Sequence, residues 1–247
     1  MIDILRNKIV SGYTLFLLAI SMTVFNLEDN ASKGLLSLLN IVLIIVPLLS
    51  IIFSTIYVYN SSEFIELLVS QPIKRTTLLS SIYAGLTLSL MLAVIVGIGL
   101  PILLYDSSGV GITLILAALL LTAVFVALAI LASVITRDKA KGIGASILLW
   151  FYFTVIFDGL ILFVLFQFAD YPLEKLSIGL TALNPIDLSR ILVLLKMDIS
   201  ATMGYTGAVF REFFEGIYGY LFIAIVMTSW MCAPVLWAIK RFNKKDL

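Results

Sequence analysis

The stretch "SSEFIELLVSQPIKRTTLL", Ser61–Leu79, decides the fold. With Glu63, Glu66, Lys74 and Arg75 it is too charged to lie in lipid, yet it has a helical pattern of its own. Phe64, Ile65, Leu67 and Leu68 supply an apolar side, Glu63 and Glu66 a charged one, and Ser61 or Ser62 can cap the start. Pro72 disfavours helix at Gln71 and ends it. A short amphipathic helix is expected here, held between two long apolar runs.

Working outward, those runs multiply. A membrane-spanning helix needs ~20 mostly apolar residues, and six runs qualify: about Ile9–Phe25, Leu35–Tyr59, Leu78–Leu104, Gly111–Ile135, Ile143–Phe168 and Ile217–Ile239. With 62% hydrophobic residues, 13% charged and a mean hydropathy of +1.14, the chain of 247 residues is expected to be an all-α integral membrane protein of one domain, residues 1–247. A barrel would show short alternating strands instead. The first run has no convincing small-residue cleavage site and follows a short amphipathic lead-in, Met1–Ile9, so it reads as a retained helix.

Basic residues sort unevenly across six crossings. Arg6, Lys8, Lys74, Arg75, Arg137, Lys139, Lys141, Lys240, Arg241, Lys244 and Lys245 share the side of both termini, whereas Lys33, Lys175, Arg190, Lys196 and Arg211 fall on the other. The positive-inside rule then predicts that both termini are cytoplasmic. On this reading Ser61–Leu79 faces the cytosol. "TRDKAKG", Thr136–Gly142, is a basic topology anchor, as is the tail "KRFNKKDL", Lys240–Leu247, which can also touch anionic lipid.

Two compositional facts remove much of enzymology. The chain has no histidine, which excludes histidine-based triads and histidine metal ligands, and its lone Cys232 cannot form an intrachain disulfide. There is no G-x-x-x-x-G-K-[ST] loop, so ATP phosphates are not bound here in a P-loop. A non-catalytic chain without a cofactor is expected, and nothing suggests a nucleic-acid partner. Met227, Met231 and Cys232 are soft enough for Cu(I). The two methionines are nevertheless four apart on one helical face, as packing residues are, and no metal site is assigned.

The connection from about Ala169 to Gly216 is long and patterned. In "NPIDLSRILVLLK", Asn184 can serve as N-cap, Pro185 suits the first helical position, and Asp187 sits in the first turn near the positive helix end. Leu188, Ile191, Leu192 and Leu195 share a face, which predicts a helix lying on the outer membrane surface or against a partner. Around Phe210, Phe213, Phe214 and Ile217 an interfacial helix is expected to lead into the last span. Trp150, Tyr152, Tyr171, Tyr218 and Tyr220 read as interface anchors.

Asp158 is the one charged-type residue deep in a span, about 10 residues or roughly 15 Å from the outer end of the fifth run. An Asp there costs about 2.5–3.5 kcal/mol, so it should face protein. With no Lys or Arg in any span core, hydroxyl partners are expected: Thr154 one turn earlier, or Ser50, Ser54 or Thr55 of the second span. It reads either as polar glue between helices or as a proton-sensitive switch.

The run "SSEFIELLVSQPIKRTTLLSSIY", with Glu66-Leu67-Leu68, then Gln71-Pro72-Ile73-x-Arg75 and Leu78, resembles the segment between the second and third spans of ABC type-2 permeases. The likeness extends over nearly the whole chain: amphipathic start, six spans, a basic turn after the fourth and a basic tail. "FDGLILF", Phe157–Phe163, and "LNPIDLSRILVLL", Leu183–Leu195, are similar to the membrane subunit of the ABC complex that matures nitrous-oxide reductase, the NosY type. The resemblance implies that Ser61–Thr77 holds a coupling helix, with Glu63, Phe64, Glu66, Leu67, Leu68, Pro72 and Arg75 docking a separate cytosolic ATPase. It implies a homodimer in the bacterial inner membrane bound to an ATPase dimer. It also implies a periplasmic β-helical copper-handling partner, for which Asn184, Pro185, Asp187 and Arg190 are available. An exporter of a small amphiphile, drug or ion would show the same spans and coupling helix.

Overall fold

Side-chain caps start three of the long helices. Asn30 Oδ1 accepts from Ser32 N at 3.2 Å, Ser108 Oγ from Gly111 N at 3.4 Å, and Asp138 Oδ1 from Lys141 N at 2.8 Å, each satisfying an orphan donor of a first turn. The computed structural model describes residues 8–28, 30–106, 108–136, 138–168, 179–197 and 217–244. The lead-in Met1–Ile9, but for its last two residues, and the helix expected around Phe210–Phe214 lie outside them, as does Tyr171.

Chain order runs α1 (Lys8–Leu27), α2 (Ala31–Asn60), α3 (Ser62–Val69), α4 (Arg75–Tyr105), α5 (Gly109–Ile135), α6 (Lys139–Phe151 continuing to Phe157–Gln167), α7 (Pro185–Lys196) and α8 (Ile217–Asn243). Six of these, all but α3 and α7, are long and apolar enough to cross a membrane. The expected six spans are present, each within a few residues of the predicted runs.

α5 is the axis of the bundle. Of its apolar window 78% is buried, against 11% for that of α6. Every residue from Leu121 to Val134 is buried, with Ala123, Ala127, Ala129 and Ala132 keeping the surface shallow so that neighbouring backbones approach. α2 packs on it most extensively, then α8 and α4, and then α7.

Both α4 and α6 are interrupted by a turn of π-helix, at Ile95–Gly99 and Tyr152–Ile156. At the first, α1 crosses so closely that a Cβ on Gly97 would lie 2.6 Å from Leu17 Cβ and 3.0 Å from the Thr14 carbonyl. Glycine is what this crossing admits. At the second, the i→i+5 spacing changes which side chains stack one turn apart.

Trp150 departs from expectation. It lies near the middle of α6 rather than at a span end, and its indole N–H donates to the Ile44 carbonyl of α2 at 3.1 Å. In lipid an indole N–H needs an acceptor, and the Ile44 carbonyl supplies it.

Candidate functional site

Two places concentrate polar chemistry, at opposite ends of the bundle. At the α3 end, α2 runs almost directly into α3. Ser61 supplies no side-chain cap; its N–H bonds the Tyr57 carbonyl at 3.0 Å, its carbonyl accepts from Ile65 N at 2.9 Å, and Ser62 Oγ donates back to the Tyr59 carbonyl at 2.9 Å. The expected serine cap is replaced because the last turn of α2 already occupies both residues. α3 ends at Val69, before Pro72, as predicted.

The four apolar residues of α3 do not share one face. Ile65 and Leu68 pack toward the bundle, whereas Phe64 and Leu67 are 63% and 65% exposed beside exposed Glu63 and Glu66. Three-residue spacing puts Phe64 and Leu67 on one outward stripe. Pro72 is exposed next to it. Arg75 turns inward, its Nη1 donating to the Phe242 carbonyl near the end of α8 at 3.4 Å.

The start of α3 is fastened as well. Tyr59 Oη lies 2.6 Å from Thr136 Oγ1 and 3.1 Å from the Thr136 carbonyl, and Lys139 Nζ donates to Asn60 Oδ1 at 2.8 Å. Tyr59 packs onto Gly142, where an added Cβ would collide with its phenol oxygen. α3 is thus tied at one end to the α5–α6 turn and at the other to α8.

At the far end, α7 dips into the bundle. Asn184 caps it through Ile186 N at 3.0 Å, Pro185 holds the first helical position, and Asp187 lies in the first turn, as the motif predicted. Its location differs from prediction. Pro185 through Ser189 are buried all round, and α7 packs on α5, α2 and α8 rather than on an outer surface. Asn184 Nδ2 donates to the Phe153 carbonyl of α6 at 2.9 Å, and Trp230 of α8 donates to the Ala182 carbonyl at 3.1 Å. Phe153 and Trp230 are each eleven residues from the far ends of their spans, Val164 and Gly219, about 16 Å at 1.5 Å per residue. The start of α7 therefore lies near mid-span. Its first polar groups are satisfied there by protein, the condition under which non-spanning backbone is tolerated at membrane depth.

One turn along α7, Arg190 closes a charged cluster. Its Nη1 is 2.8 Å from Asp187 Oδ1 and 3.2 Å from Asp158 Oδ2 of α6. Asp158 thus pairs with a cation, not with hydroxyls: Arg190 reaches it from a segment outside the spans, while Thr55 pairs with Ser146 at 2.7 Å. The buried Thr154 hydroxyl has no partner, because the π-turn between them removes the four-residue stacking expected with Asp158. Burial pushes the Asp187 carboxyl up to about 7, with nearby Arg190 opposing and Asp158 adding to the rise. A cleft of about 240 Å³ opens beside the cluster, lined by Asp158, Ile161, Leu162, Thr181, Asp187, Arg190 and Ile191.

Of the predicted far-side residues, Asn184, Pro185 and Asp187 are buried within this chain, and Arg190 is about a third exposed. The Asp187–Arg190 pair alone was within reach of the sequence, the two being one turn apart on a capped helix. Met227 is buried and Cys232 exposed, so the soft residues of α8 do not converge.

Comparison with known proteins agrees with this architecture. The family model described as "ABC-2 family transporter protein" matches residues 2–247. The chain is 28% identical over 180 residues to the "Probable ABC transporter permease protein NosY" of Pseudomonas aeruginosa, a match spanning 68% of this chain and 66% of that protein. Six apolar spans around α5, a short amphipathic helix fastened between the second and third, and a family match over essentially the whole length make one conclusion: the chain belongs to the ABC-2 family of transporter membrane proteins.

Proposed function

We propose that this chain is the permease subunit of an ABC complex, working as a homodimer in the bacterial inner membrane with both termini in the cytosol. α3 is its coupling helix. The observation that carries the reading is the outward stripe of Phe64 and Leu67, flanked by Glu63 and Glu66, on a helix fastened to the rest of the bundle at both ends. Such a helix offers apolar anchors and two negative charges to a groove on an ATPase, and moves only with the helices it is tied to. Leu68 and Arg75 hold that platform from behind, and Pro72 ends it. ATP hydrolysis belongs to the separate cytosolic partner.

On this reading the complex serves copper-site maturation of nitrous-oxide reductase, supported by the resemblance of Phe157–Phe163 and Leu183–Leu195 to the NosY type and by the NosY relative. ATPase motion passes through the bundle to a periplasmic β-helical partner, and Asn184, Pro185, Asp187 and Arg190 seat α7 beneath that partner. The alternative is an exporter subunit for a small amphiphile, drug or ion, and the observation favouring it is the charged cleft beside Asp158. Gentle extraction of an N-terminally tagged chain from its native membrane, followed by mass spectrometry of what co-purifies, separates them. An ATPase with a periplasmic β-helical protein is the expected result; an ATPase alone favours the exporter, and neither would refute the coupling assignment.

A further inference from the structure

One guanidinium nitrogen serves two carboxylates at the Asp158–Arg190–Asp187 cluster, and the charges do not balance. Arg190 Nη1 contacts Asp158 Oδ2 and Asp187 Oδ1, while Asp187 Oδ2 accepts from Asn184 Nδ2 at 2.9 Å. The remaining oxygen, Asp158 Oδ1, is buried without a hydrogen-bond partner. With both acids ionised the cluster carries one net negative charge. Asp158 stands six residues from the end of its span at Val164, about 9 Å in, where uncompensated charge is expensive.

The surrounding elements supply no second cation at this depth among the described residues. α5 has no ionisable side chain. α8 carries Tyr218 and Tyr220 near its start, Cys232 within the span, and Lys240 and Arg241 in its last turn, at the opposite end of the bundle. α2 carries Lys33 in its first turn and Tyr57 and Tyr59 in its last, and the π-turn of α6 carries Tyr152. Lys196 lies at the far end of α7, beside Gly109. The charges acting on Asp187 are those of Arg190 and Asp158, and the two carboxyls meet at the same Arg190 nitrogen.

We propose that Asp158 and Asp187 share one exchangeable proton beneath Arg190, forming a proton-binding site that is neutral when filled and ties α7 to α6. Filled, the site holds one carboxylic acid, one carboxylate and one guanidinium. Emptied, the acid's O–H breaks, the proton passes to water in the adjoining cleft, and two carboxylates compete for a single guanidinium. No other bond changes. A volume of about 240 Å³ has room for several waters at ~30 Å³ each. The seat of α7 is then tighter with the proton than without it. Neither step depends on what the complex carries.

Infrared spectroscopy of the full chain in lipid nanodiscs, titrated from about pH 5 to about pH 9, tests this. The expected result is a protonated-carboxyl C=O band with a midpoint near 7, lost in Asp187→Asn and moved to lower pH in Asp158→Asn. The substitutions are on different helices, so either one that inserts correctly is sufficient. A spectrum with no such band, or a band unaffected by the substitutions, would overturn the site. Hydrogen exchange, corrected for its intrinsic pH dependence, reads the tie to α7: exchange in 185–196 should speed about tenfold between about pH 6 and about pH 8 in the wild type and stay slow in the Asn variants, tenfold being about 1.4 kcal/mol of opening energy. Equal acceleration in all three would sink the coupling of the proton to α7.

Discussion

Gly142 has no room for a side chain, because Tyr59 lies where a Cβ would go. Gly142→Ala should push the ring away, break its contacts with Thr136, and lower stability by about 1–3 kcal/mol in thermal unfolding of the detergent-solubilised chain. Tyr59→Phe, which removes the hydroxyl alone, should cost less, about 0.5–1.5 kcal/mol. Asp187 makes a prediction of opposite kind. Its folded-state pKa is raised, from 3.8 to about 7, so the stability it contributes is fully present below about pH 4 and is lost as pH rises through about 7. Unfolding temperature should therefore fall across that window in the wild type, and Asp187→Asn should flatten the fall. Single residues were unevenly legible. Asn184, Pro185 and Asp187 announce a helix start through local chemistry alone, and the structure has it there. The partner of Asp158 was hidden because Arg190 is 32 residues on, in a segment that hydropathy assigns to a connection.

At the scale of elements, α3 is where local pattern and tertiary placement part company. A short helix ending before Pro72 follows from sequence, but the spacing treats Phe64, Ile65, Leu67 and Leu68 as one side. The bundle takes Ile65 and Leu68 and leaves Phe64 and Leu67 outside, a division set by how α2 and α4 hold the helix. Phe64→Ala with Leu67→Ala should therefore leave stability within about 0.5 kcal/mol. Co-purification with the ATPase should drop by tenfold or more, since buried apolar anchors carry about 1–2 kcal/mol each at interfaces. Reversing Glu63 and Glu66 to Arg should weaken the same association through charge, and unchanged recovery of the ATPase would refute the docking role. The π-turns of α4 and α6 left no comparable signal, because an extra residue in a turn changes neither the length nor the hydropathy of a span.

Across the whole molecule, six crossings were readable from apolar length alone, whereas the ranking of the helices was not. α5 is buried and α6 largely bare, although both are strongly apolar. In the proposed homodimer the bare face of α6, with Leu148, Leu160 and Phe163 exposed, is the surface a second copy would cover. In a Cys232→Ser background, Leu148→Cys, Leu160→Cys or Phe163→Cys should form a disulfide between copies in oxidised membranes; failure at all three would leave this face to lipid. The placement of α7 bears, finally, on how the protein is made. With Asp187, Arg190 and Lys196 in twelve residues, α7 is too polar to be held in the bilayer as a span of its own, and it reaches its depth only between other helices. The Trp230 indole, which donates to the Ala182 carbonyl just ahead of α7, belongs to α8, which follows α7 in the chain. Seating of α7 is therefore expected to follow synthesis of α8, and a nascent chain halted before α8, lacking those 27 residues or about seven turns, should carry an unseated helix open to added protease.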